Sequence, residues 1–348
     1  MNVGVVLLNF GEPAEPTREA VLPFLKRIFL DNASLERFDS EGEAEERAAE
    51  LAERRAGGLI EEYEAIGGSP LEEQARAQAR DLETELESRE FDVEVRLGMQ
   101  FTEPQLTDVA KDMATAGFDR VLVLPFYPLS GPSTNISAVD NFQTALESAN
   151  DAVEMRAVTG WHRHPTYTRL RLENIRTFVR NEGVDLQDPD TELLFSAHGT
   201  PTSYLEAGSR YDKYVADLAE TMASLLNVEE YTLGFQNHAN RDIPWTEPDI
   251  ETALASVEAD RVVVEPMSFL HEQSETLHEL DIDLKADAEA HGLDFHRVPV
   301  PHDDPRLATI VADLLEPFLA DFDPSYHQLR HCQCREEPNT YCLNAPVE

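Results

Sequence analysis

The sequence predicts an α/β protein of two Rossmann-like lobes, each a four-stranded parallel sheet flanked by helices. Two observations lead to this prediction: short apolar runs alternate with longer amphipathic segments, and the runs fall into two sets of four. Nearly continuous apolar strands are typical of parallel sheets that helices cover on both faces. The eight predicted strands are 3–10, 94–101, 120–127, 153–158, 192–198, 230–236, 261–267 and 294–300.

Helical patterns fill the intervals between these strands. Apolar residues recur there at the helical period over 70–89, 103–116, 164–182, 209–227, 249–257, 274–291 and 305–321. The charged segment 41–57 predicts a solvated helix, and the tail from Asp323 on predicts a loop. We expect the lobes to divide near 159–163, which gives an N-terminal lobe 1–159, a C-terminal lobe 160–325 and a cysteine-containing tail 326–348.

The charge of the chain excludes some partners. The 348 residues include 68 acidic and 28 basic ones, for a formal net charge of −40. Such a field repels nucleic acid and anionic lipid, so we expect neither as a partner. Disorder is the other interpretation of so acidic a composition, but the regular apolar runs favour a folded protein. Because salt screens self-repulsion, the composition predicts a halophilic archaeon or a similarly salt-adapted source.

The sequence also gives an expected location. It has no apolar run of about 18 residues, the length that a membrane-spanning helix needs. Its start, MNVGVVLLNFGEP, lacks the basic region and the cleavage site of a signal peptide and resembles a first strand. We therefore expect a cytoplasmic protein without an integral membrane segment.

The first candidate functional residue is His198, in the stretch LLFSAHGTP (193–201). It ends a predicted strand, immediately before Gly199 and Pro201 break the chain. In open parallel sheets, ligands bind beyond the carboxyl ends of the strands, so His198 is expected to face a cleft. A histidine that merely caps the strand is the alternative, and position alone does not separate the two.

A second candidate group follows the strand 261–267. Four acidic residues with spacings of 3, 4 and 4 would share one face of a helix: Glu272, Glu275, Glu279 and Asp283. A solvated face is the simpler interpretation in so acidic a chain, but a line of carboxylates leading from a cleft can move protons or metal ions. One imidazole and one carboxylate, His198 and Glu275, suit a divalent ion that is bound only in passing.

Seven segments in this order carry a resemblance to a known family: LLNFGEP (7–13), PFLKRIFLD (23–31), YEAIGGSPL (63–71), LPFYPLSGPST (124–134), FSAHGTP (195–201), FQNHANRDIPWTEPDI (235–250) and SFLHEQSETLHELDID (268–283). Over nearly the whole chain they resemble the ferrochelatases, which insert ferrous iron into a porphyrin in haem synthesis. The resemblance implies a class II chelatase-like fold. It also implies insertion of Fe²⁺ into protoporphyrin IX or coproporphyrin III with release of two protons.

The resemblance assigns roles residue by residue. It implies that His198 and Glu275 are catalytic and meet the metal, and that Glu272, Glu279 and Asp283 form a proton or metal path. The residues that it places near the porphyrin are Phe10, Ser69, Phe101, Ser133, Thr134, Trp245 and Phe269. Arg27, Arg54 and Arg55 are candidates for anchoring propionates at the rim, with surface ion pairs as the alternative. The sequence departs from the family at Gln100, Phe101, His271 and Gln273, which bears on rate and metal choice more than on reaction class.

The three cysteines of the chain lie in its tail, as Cys332, Cys334 and Cys342. An odd number crowded at one end is no disulfide framework and suggests a metal or cluster site. Some members of the family hold a [2Fe–2S] cluster with three such cysteines and a fourth from the loop after the Tyr-Pro strand end. Pro132 stands at that place here, so a cluster would need His331, His327 or an Asp or Asn oxygen. A zinc site with His331, or unused thiols, are the alternatives.

Three other functions agree less well with these motifs. A related chelatase that loads Co²⁺ or Ni²⁺ into another tetrapyrrole would generally lack the Glu-Thr-Leu-x-Glu-Leu-Asp helix. A two-lobed protein that binds haem or iron without turnover would not need His198. A Rossmann-type dehydrogenase is disfavoured, because no G-x-G-x-x-G follows the first strand. The sequence leaves the oligomeric state open.

Overall fold

Two sheets frame the protein in the computed structural model, which describes residues 1–31, 40–237 and 243–344. The N-terminal sheet contains β1 (Val3–Asn9), β2 (Glu94–Met99), β3 (Arg120–Pro125) and β4 (Glu154–Val158). The C-terminal sheet contains β5 (Thr191–His198), β6 (Thr232–Gln236), β7 (Arg261–Pro266) and β8 (Asp294–Arg297). All pairings among the strands of each set are parallel. The predicted α/β class with two sets of four parallel strands is thus confirmed.

Twelve α-helices in the described part of the chain connect and cover the strands. They are α1 (Arg18–Asp31), α2 (Glu41–Ile66), α3 (Leu71–Ser88), α4 (Leu106–Thr115), α5 (Ser137–Ala149), α6 (Pro165–Glu182), α7 (Thr202–Glu206), α8 (Tyr211–Leu226), α9 (Ile250–Ala255), α10 (Ser274–Leu277), α11 (Lys285–Ala290) and α12 (Arg306–Leu319). The charged segment predicted as a helix over 41–57 is the first part of α2. That helix buries Ala52, Ala56 and Tyr63, so one face of it packs rather than being solvated all round.

Strand order determines where a ligand can bind. The order is β2-β1-β3-β4 in the first set and β6-β5-β7-β8 in the second, so each has its first strand between its second and third. In such sheets the connections leave the first strand in opposite directions, and a crevice opens at the carboxyl ends of the two inner strands. These inner strands are β1 and β3 in one sheet, and β5 and β7 in the other. Phe10, Tyr127 and Phe269 lie just beyond such ends, and His198 is the last residue of β5.

The tail is not the loop that the sequence predicted. Its strands β9 (Arg330–His331) and β10 (Thr340–Cys342) extend the N-terminal sheet beyond β4. β10 pairs in parallel with β4, and β9 pairs antiparallel with β10. An edge strand has unpaired N–H and C=O groups, and the tail satisfies those of β4. The short, polar strands of the tail have too little apolar periodicity to be recognised from the sequence.

The predicted helix over 274–291 is interrupted. The residues between α10 and α11, Glu279–Leu284, form a π-helical turn, in which Asp283 N–H donates to His278 O over 3.0 Å. A π-turn adds a residue to the helical repeat, so side chains four positions apart no longer lie above one another. Glu272 precedes α10 altogether. The four acids therefore do not form one stripe on one helix face.

Candidate active site

The site is built around a contact between His198 and Glu275. His198 is the last residue of β5, and Glu275 lies in the first turn of α10. His198 Nε2 lies 3.0 Å from Glu275 Oε1. The imidazole keeps 40% of its surface exposed, whereas the carboxylate keeps 19%. The two predicted catalytic residues thus meet, with the imidazole open to solvent.

The backbone and the ring of His198 are both fixed. Its N–H donates to Ser268 Oγ (3.0 Å), and its carbonyl accepts from Tyr211 Oη (3.0 Å). Its Nδ1 lies 2.5 Å from Gly199 O, so Nδ1 carries the proton of this contact and Nε2 faces Glu275. A Cβ at Gly199 would lie 2.6 Å from Gln236 O, which explains why glycine follows the histidine.

Amide side chains hold the Glu275 carboxylate and its neighbour Glu279. Asn237 Nδ2 donates to Glu275 Oε1 (2.5 Å), and Gln273 Nε2 donates to Glu275 Oε2. Gln236, which is 1% exposed, donates through Nε2 to Glu275 O (2.8 Å) and to Glu279 Oε2 (2.9 Å). Gln236 therefore links the end of β6 to both carboxylate-bearing segments. The sequence analysis did not single it out, although it ends a predicted strand.

The electrostatics of the site place protons on specific groups. Burial disfavours the charged imidazole, but the Glu275 carboxylate outweighs burial and raises the pKa of His198 to about 9. Burial, followed by the charge of Glu275, raises the pKa of Glu279 to about 8. Both shifts favour the protonated form at neutral pH, an imidazolium at His198 and a neutral carboxyl at Glu279.

A further carboxylate, Glu12, was missed by the sequence analysis. It lies in the loop after β1, is 5% exposed and accepts hydrogen bonds from Ser69 Oγ (2.6 Å), Ser274 N (3.2 Å) and Ser274 Oγ. Burial raises the pKa of Glu12, while the hydroxyl donors lower it. The residue connects the N-terminal lobe to the first residue of α10, next to Glu275. The sequence did hold a signal for this residue, because LLNFGEP places an acid shortly after the first predicted strand.

Two of the predicted path residues lie apart from the pair. The Glu272 carboxylate, 12% exposed, contacts Arg297 Nη1 at 2.7 Å and accepts from Val300 N (2.9 Å) and Thr276 Oγ1 (2.7 Å). Asp283 is 61% exposed, with Oδ2 3.2 Å from His278 Nδ1. Glu279 is thus the predicted path residue that lies beside Glu275, whereas Glu272 is occupied by Arg297 and Asp283 is at the surface.

Aromatic side chains lie beyond the carboxyl ends of several strands. Phe10 packs edge-to-face on Phe101, with ring centroids 4.6 Å apart, and on Phe24. Phe101 and Phe269 are 3% and 5% exposed, so both lie beneath the surface, while Phe10 and Trp245 are partly exposed. The Trp245 ring lies 6.5 Å from that of His198. Of the aromatic residues that the resemblance places near the porphyrin, Phe10 and Trp245 are therefore the ones with partly exposed side chains.

The polar residues predicted near the porphyrin have varied surroundings. Ser69 is buried against Glu12, and Thr134 Oγ1 donates to Asn135 Oδ1 (2.9 Å). The Ser133 carbonyl accepts from Gln100 Nε2 (3.0 Å), so Gln100 fixes this loop.

Of the rim arginines, Arg27 donates to Phe101 O (2.9 Å) and Arg55 pairs with Glu62 (2.8 Å), whereas Arg54 is exposed. Residues 238–242, within the predicted Trp-containing motif, lie outside the described residues.

The three cysteines lie close together in the tail, Cys342 at the end of β10 and Cys332 directly after β9. Cys332 Sγ accepts from Thr159 Oγ1 (3.1 Å) and from Cys334 N (3.3 Å). Tyr214 Oη lies 3.3 Å from Cys334 Sγ. The neighbouring thiols of Cys334 and Cys342 have the largest effects on the pKa of Cys332, with opposite signs, and burial adds to the net increase. Within the described ranges, no three His, Cys, Asp or Glu side chains are arranged to hold one metal ion.

Within residues 1–31, 40–237 and 243–344, no helix combines the length and the apolar character that crossing a membrane requires.

Comparison with known sequences identifies relatives over most of the chain. The protein-family model described as Ferrochelatase matches residues 2–318. The ferrochelatase of Synechococcus sp. (strain RCC307) is 34% identical over 328 residues, which cover 91% of this chain and 83% of that protein. The ferrochelatase of Aquifex aeolicus (strain VF5) is 29% identical over 322 residues, covering 91% and 99%.

Solved structures share the fold. SirB from Bacillus subtilis with Fe³⁺ has a TM-score of 0.55 at 10% sequence identity, and the match covers 93% of this chain and 99% of that one. The sirohydrochlorin chelatase SirB from Bacillus subtilis subspecies spizizenii in complex with cobalt has a TM-score of 0.51 at 8% identity, covering 92% and 97%. At such identities the likeness concerns the fold alone.

Proposed function

Because the chain belongs to the ferrochelatase family, we propose that it inserts Fe²⁺ into its porphyrin in the cleft between the ends of β1, β3, β5 and β7. It is an enzyme whose reaction joins ferrous iron to a porphyrin and releases the two pyrrole protons. The contact of 3.0 Å between His198 Nε2 and Glu275 Oε1 carries the proposal, because it joins a proton acceptor to a hard oxygen ligand at the sheet edge where ligands bind.

His198 and Glu275 are the catalytic pair in this proposal and the residues that meet the iron. The two N–H protons must leave the ring before its nitrogens can bind metal. An imidazole that has lost its own proton accepts one of them, and the adjacent carboxylate stabilises the imidazolium that results. A nitrogen and an oxygen donor bind Fe²⁺ without holding it permanently.

Protons then leave along the acidic segment. Gln236 holds Glu279 beside Glu275, and the exposed Asp283 lies in the same π-helical turn. We propose that the exit path for protons runs from Glu275 to Glu279 and then to Asp283. Glu272 is the third residue that the resemblance assigns to the path, and its ion pair with Arg297 favours an anchoring role.

The porphyrin lies against Phe10 and Trp245 in this proposal. Both side chains are partly exposed, and flat apolar ligands bind well on aromatic walls. Phe101 and Phe269 support this wall from beneath, and Ser133 and Thr134 border it on the loop after β3. Ser69 acts through Glu12, to which it donates. The exposed Arg54 is available to a propionate at the rim.

A [2Fe–2S] cluster in the tail is the cofactor that we propose, held by Cys332, Cys334 and Cys342. Two observations support it: the thiols adjoin one another, and N–H or O–H groups lie at the sulfurs. Such hydrogen bonds stabilise thiolates that bind iron. Against it, no three His, Cys, Asp or Glu side chains of the described residues surround a position where one metal ion would bind. When bound, a cluster supplies one-electron chemistry and a cross-link between the tail and the N-terminal lobe.

The charge of −40 supports a salt-adapted source, and we propose that the protein functions at high ionic strength, where its self-repulsion is screened. The cytoplasmic location and the division of the chain at 159/160 stay predictions from the sequence.

The test is anaerobic Fe²⁺ insertion with protoporphyrin IX and with coproporphyrin III as parallel substrates. We expect turnover with at least one, and the ratio of the two kcat/KM values identifies the natural substrate class. The comparison arm measures insertion of Co²⁺ or Ni²⁺ into a tetrapyrrole that carries more carboxylate groups. Turnover in that arm alone would overturn the assignment of iron and favour the related cobalt or nickel chelatase.

A further inference from the structure

Side chains, rather than the neighbouring strand β7, hold the peptide groups of His198. Backbone pairing between β5 and β7 ends at Ser196 and Pro266, two residues before His198. The His198 N–H donates instead to Ser268 Oγ (3.0 Å), and its carbonyl accepts from Tyr211 Oη (3.0 Å). Ser268 and Tyr211 are 8% and 6% exposed. The backbone of the catalytic histidine therefore depends on two buried hydroxyl groups for its hydrogen bonds.

The two hydroxyl groups also contact each other. Tyr211 Oη and Ser268 Oγ lie 3.2 Å apart, and each hydroxyl carries a single proton. Because the Tyr211 proton is donated to the His198 carbonyl, Ser268 is the donor in the contact between the hydroxyls. Three hydrogen bonds thus form a closed cycle, from His198 N–H to Ser268, from Ser268 to Tyr211 and from Tyr211 back to the His198 carbonyl. Each hydrogen bond in such a cycle polarises the next, so removal of one member weakens the others.

Tyr211 also packs against the loop after β3. A Cβ at Gly131 of this loop would lie 3.5 Å from Cδ2 and 3.7 Å from Cε2 of Tyr211, so an alanine there would touch the phenol ring and a branched side chain would crowd it. The loop itself is fixed by Asn135, which is 0% exposed and accepts from Gly131 N (3.1 Å) and Thr134 Oγ1 (2.9 Å). Tyr211 therefore connects His198, in the C-terminal sheet, to a loop of the N-terminal sheet.

We propose that Tyr211 is a positioning residue for His198, through which the loop after β3 helps to set the place of the histidine opposite Glu275. This inference rests on the proposed function, in which Ser133 and Thr134 of that loop border the porphyrin. A displacement of the loop reaches the phenol ring by packing and reaches the His198 backbone through the hydroxyl. Alignment of the proton acceptor is thereby coupled to the loop that the porphyrin contacts.

The experiment measures kcat and KM for Fe²⁺ insertion in Tyr211→Phe, Ser268→Ala and the variant that combines them. Tyr211→Phe keeps the aromatic ring and removes the hydroxyl. We expect each single variant to lower kcat by about 10-fold with KM nearly unchanged, because small displacements of a catalytic group act on the chemical step. Since both hydroxyls belong to one cycle, the combined variant should lose about as much as the more impaired single variant, not the product of the two losses. Ser268→Thr keeps a hydroxyl and should recover part of the rate.

A matched control and a second set of variants complete the test. Tyr231→Phe removes a hydroxyl from a ring that packs on Phe195 next to the start of β6, and it should retain both constants. Gly131→Val should displace the phenol ring and lower kcat by about 10-fold, whereas Gly131→Ala should lower it less. In the Tyr211→Phe background Gly131→Val should have little further effect, because the ring no longer holds the His198 carbonyl.

The outcomes separate the role of Tyr211 from the function of the protein. A wild type that inserts Fe²⁺ into neither porphyrin overturns the proposed function, and this inference with it. A wild type that turns over, together with an unchanged kcat in Tyr211→Phe, overturns the role of Tyr211 alone. A higher KM at constant kcat would assign Tyr211 to porphyrin binding, and losses that multiply in the combined variants would mean independent effects; either result contradicts the proposal. Circular dichroism and the melting temperature of each variant distinguish loss of position from loss of the fold.

Discussion

His198 Nε2 lies 3.0 Å from Glu275 Oε1, a contact between the last residue of β5 and the first turn of α10. We predict that His198→Ala and Glu275→Gln each lower kcat for Fe²⁺ insertion by about 10²-fold or more, the usual contribution of a positioned acid–base group. The measurement is anaerobic turnover on the preferred porphyrin. His291→Ala, which removes an exposed histidine on the far side of α11, is the matched control and should retain its rate. Wild-type rates in both site variants would contradict the assignment.

The rate should rise with pH. A raised pKa means that a group keeps its proton to higher pH, and the pKa values are about 9 for His198 and about 8 for Glu279. Because His198 accepts a proton only in its neutral form, kcat/KM, which reports the free enzyme, should increase from neutral pH toward about 9. Glu275→Gln removes the charge that raises the pKa of His198, so the rising limb of its residual activity should move to lower pH. A profile that is flat over this range would exclude His198 as the proton acceptor.

Glu12 should act as a positioning residue. Glu12→Ala leaves the Ser274 N–H and two serine hydroxyls without their acceptor, and Ser274 is adjacent to Glu275. We expect kcat to fall by about 10- to 10²-fold, because small displacements of catalytic groups have effects of this size, with a smaller change in KM. Glu12→Gln keeps an acceptor oxygen and should restore part of the rate. The control is Glu15→Ala, at an exposed position of the same loop region. An equal loss of kcat in Glu15→Ala would contradict a specific positioning role for Glu12.

Arg171 should stabilise both the fold and the segment after β7. Its guanidinium is 2% exposed and pairs with the buried Glu265, and it donates to Phe269 O (3.1 Å) and Pro266 O (3.0 Å). Removing one partner of a buried pair leaves the other charge uncompensated, so Arg171→Leu should lower the free energy of unfolding by about 3–5 kcal/mol. Urea denaturation measures this change. Arg169→Leu, at an exposed position of the same helix α6, should change it by less than about 0.5 kcal/mol.

The stability of the protein should increase with salt. Between about 0.1 M and about 1 M KCl the Debye length falls from about 10 Å to about 3 Å, which screens the repulsion within a chain of net charge −40. The melting temperature should therefore rise steadily over this range. Sucrose is the control, because it favours compact states without screening charge. A melting temperature that responds to sucrose but not to KCl would argue against salt adaptation.

The local pattern of the sequence determined much of the fold. Apolar runs and amphipathic intervals are properties of consecutive residues, so they predicted eight parallel strands in two sets and placed His198 at a strand end. The strands of the tail and the π-turn at Glu279–Leu284 were not predictable in this way. The tail strands form because β4 offers an unpaired edge, and the π-turn depends on which side chains of this segment must face Gln236 and His198.

Only the tertiary structure decided which residues meet. The sequence offered four acids after β7 as one stripe, and the fold separated them: Glu275 beside His198, Glu279 on Gln236, Glu272 on Arg297 and Asp283 at the surface. The periodicity of the sequence specifies the face of a helix or strand on which a side chain lies. Which side chains meet across the cleft depends on how whole helices and strands pack. Burial of the core as a whole determines that packing.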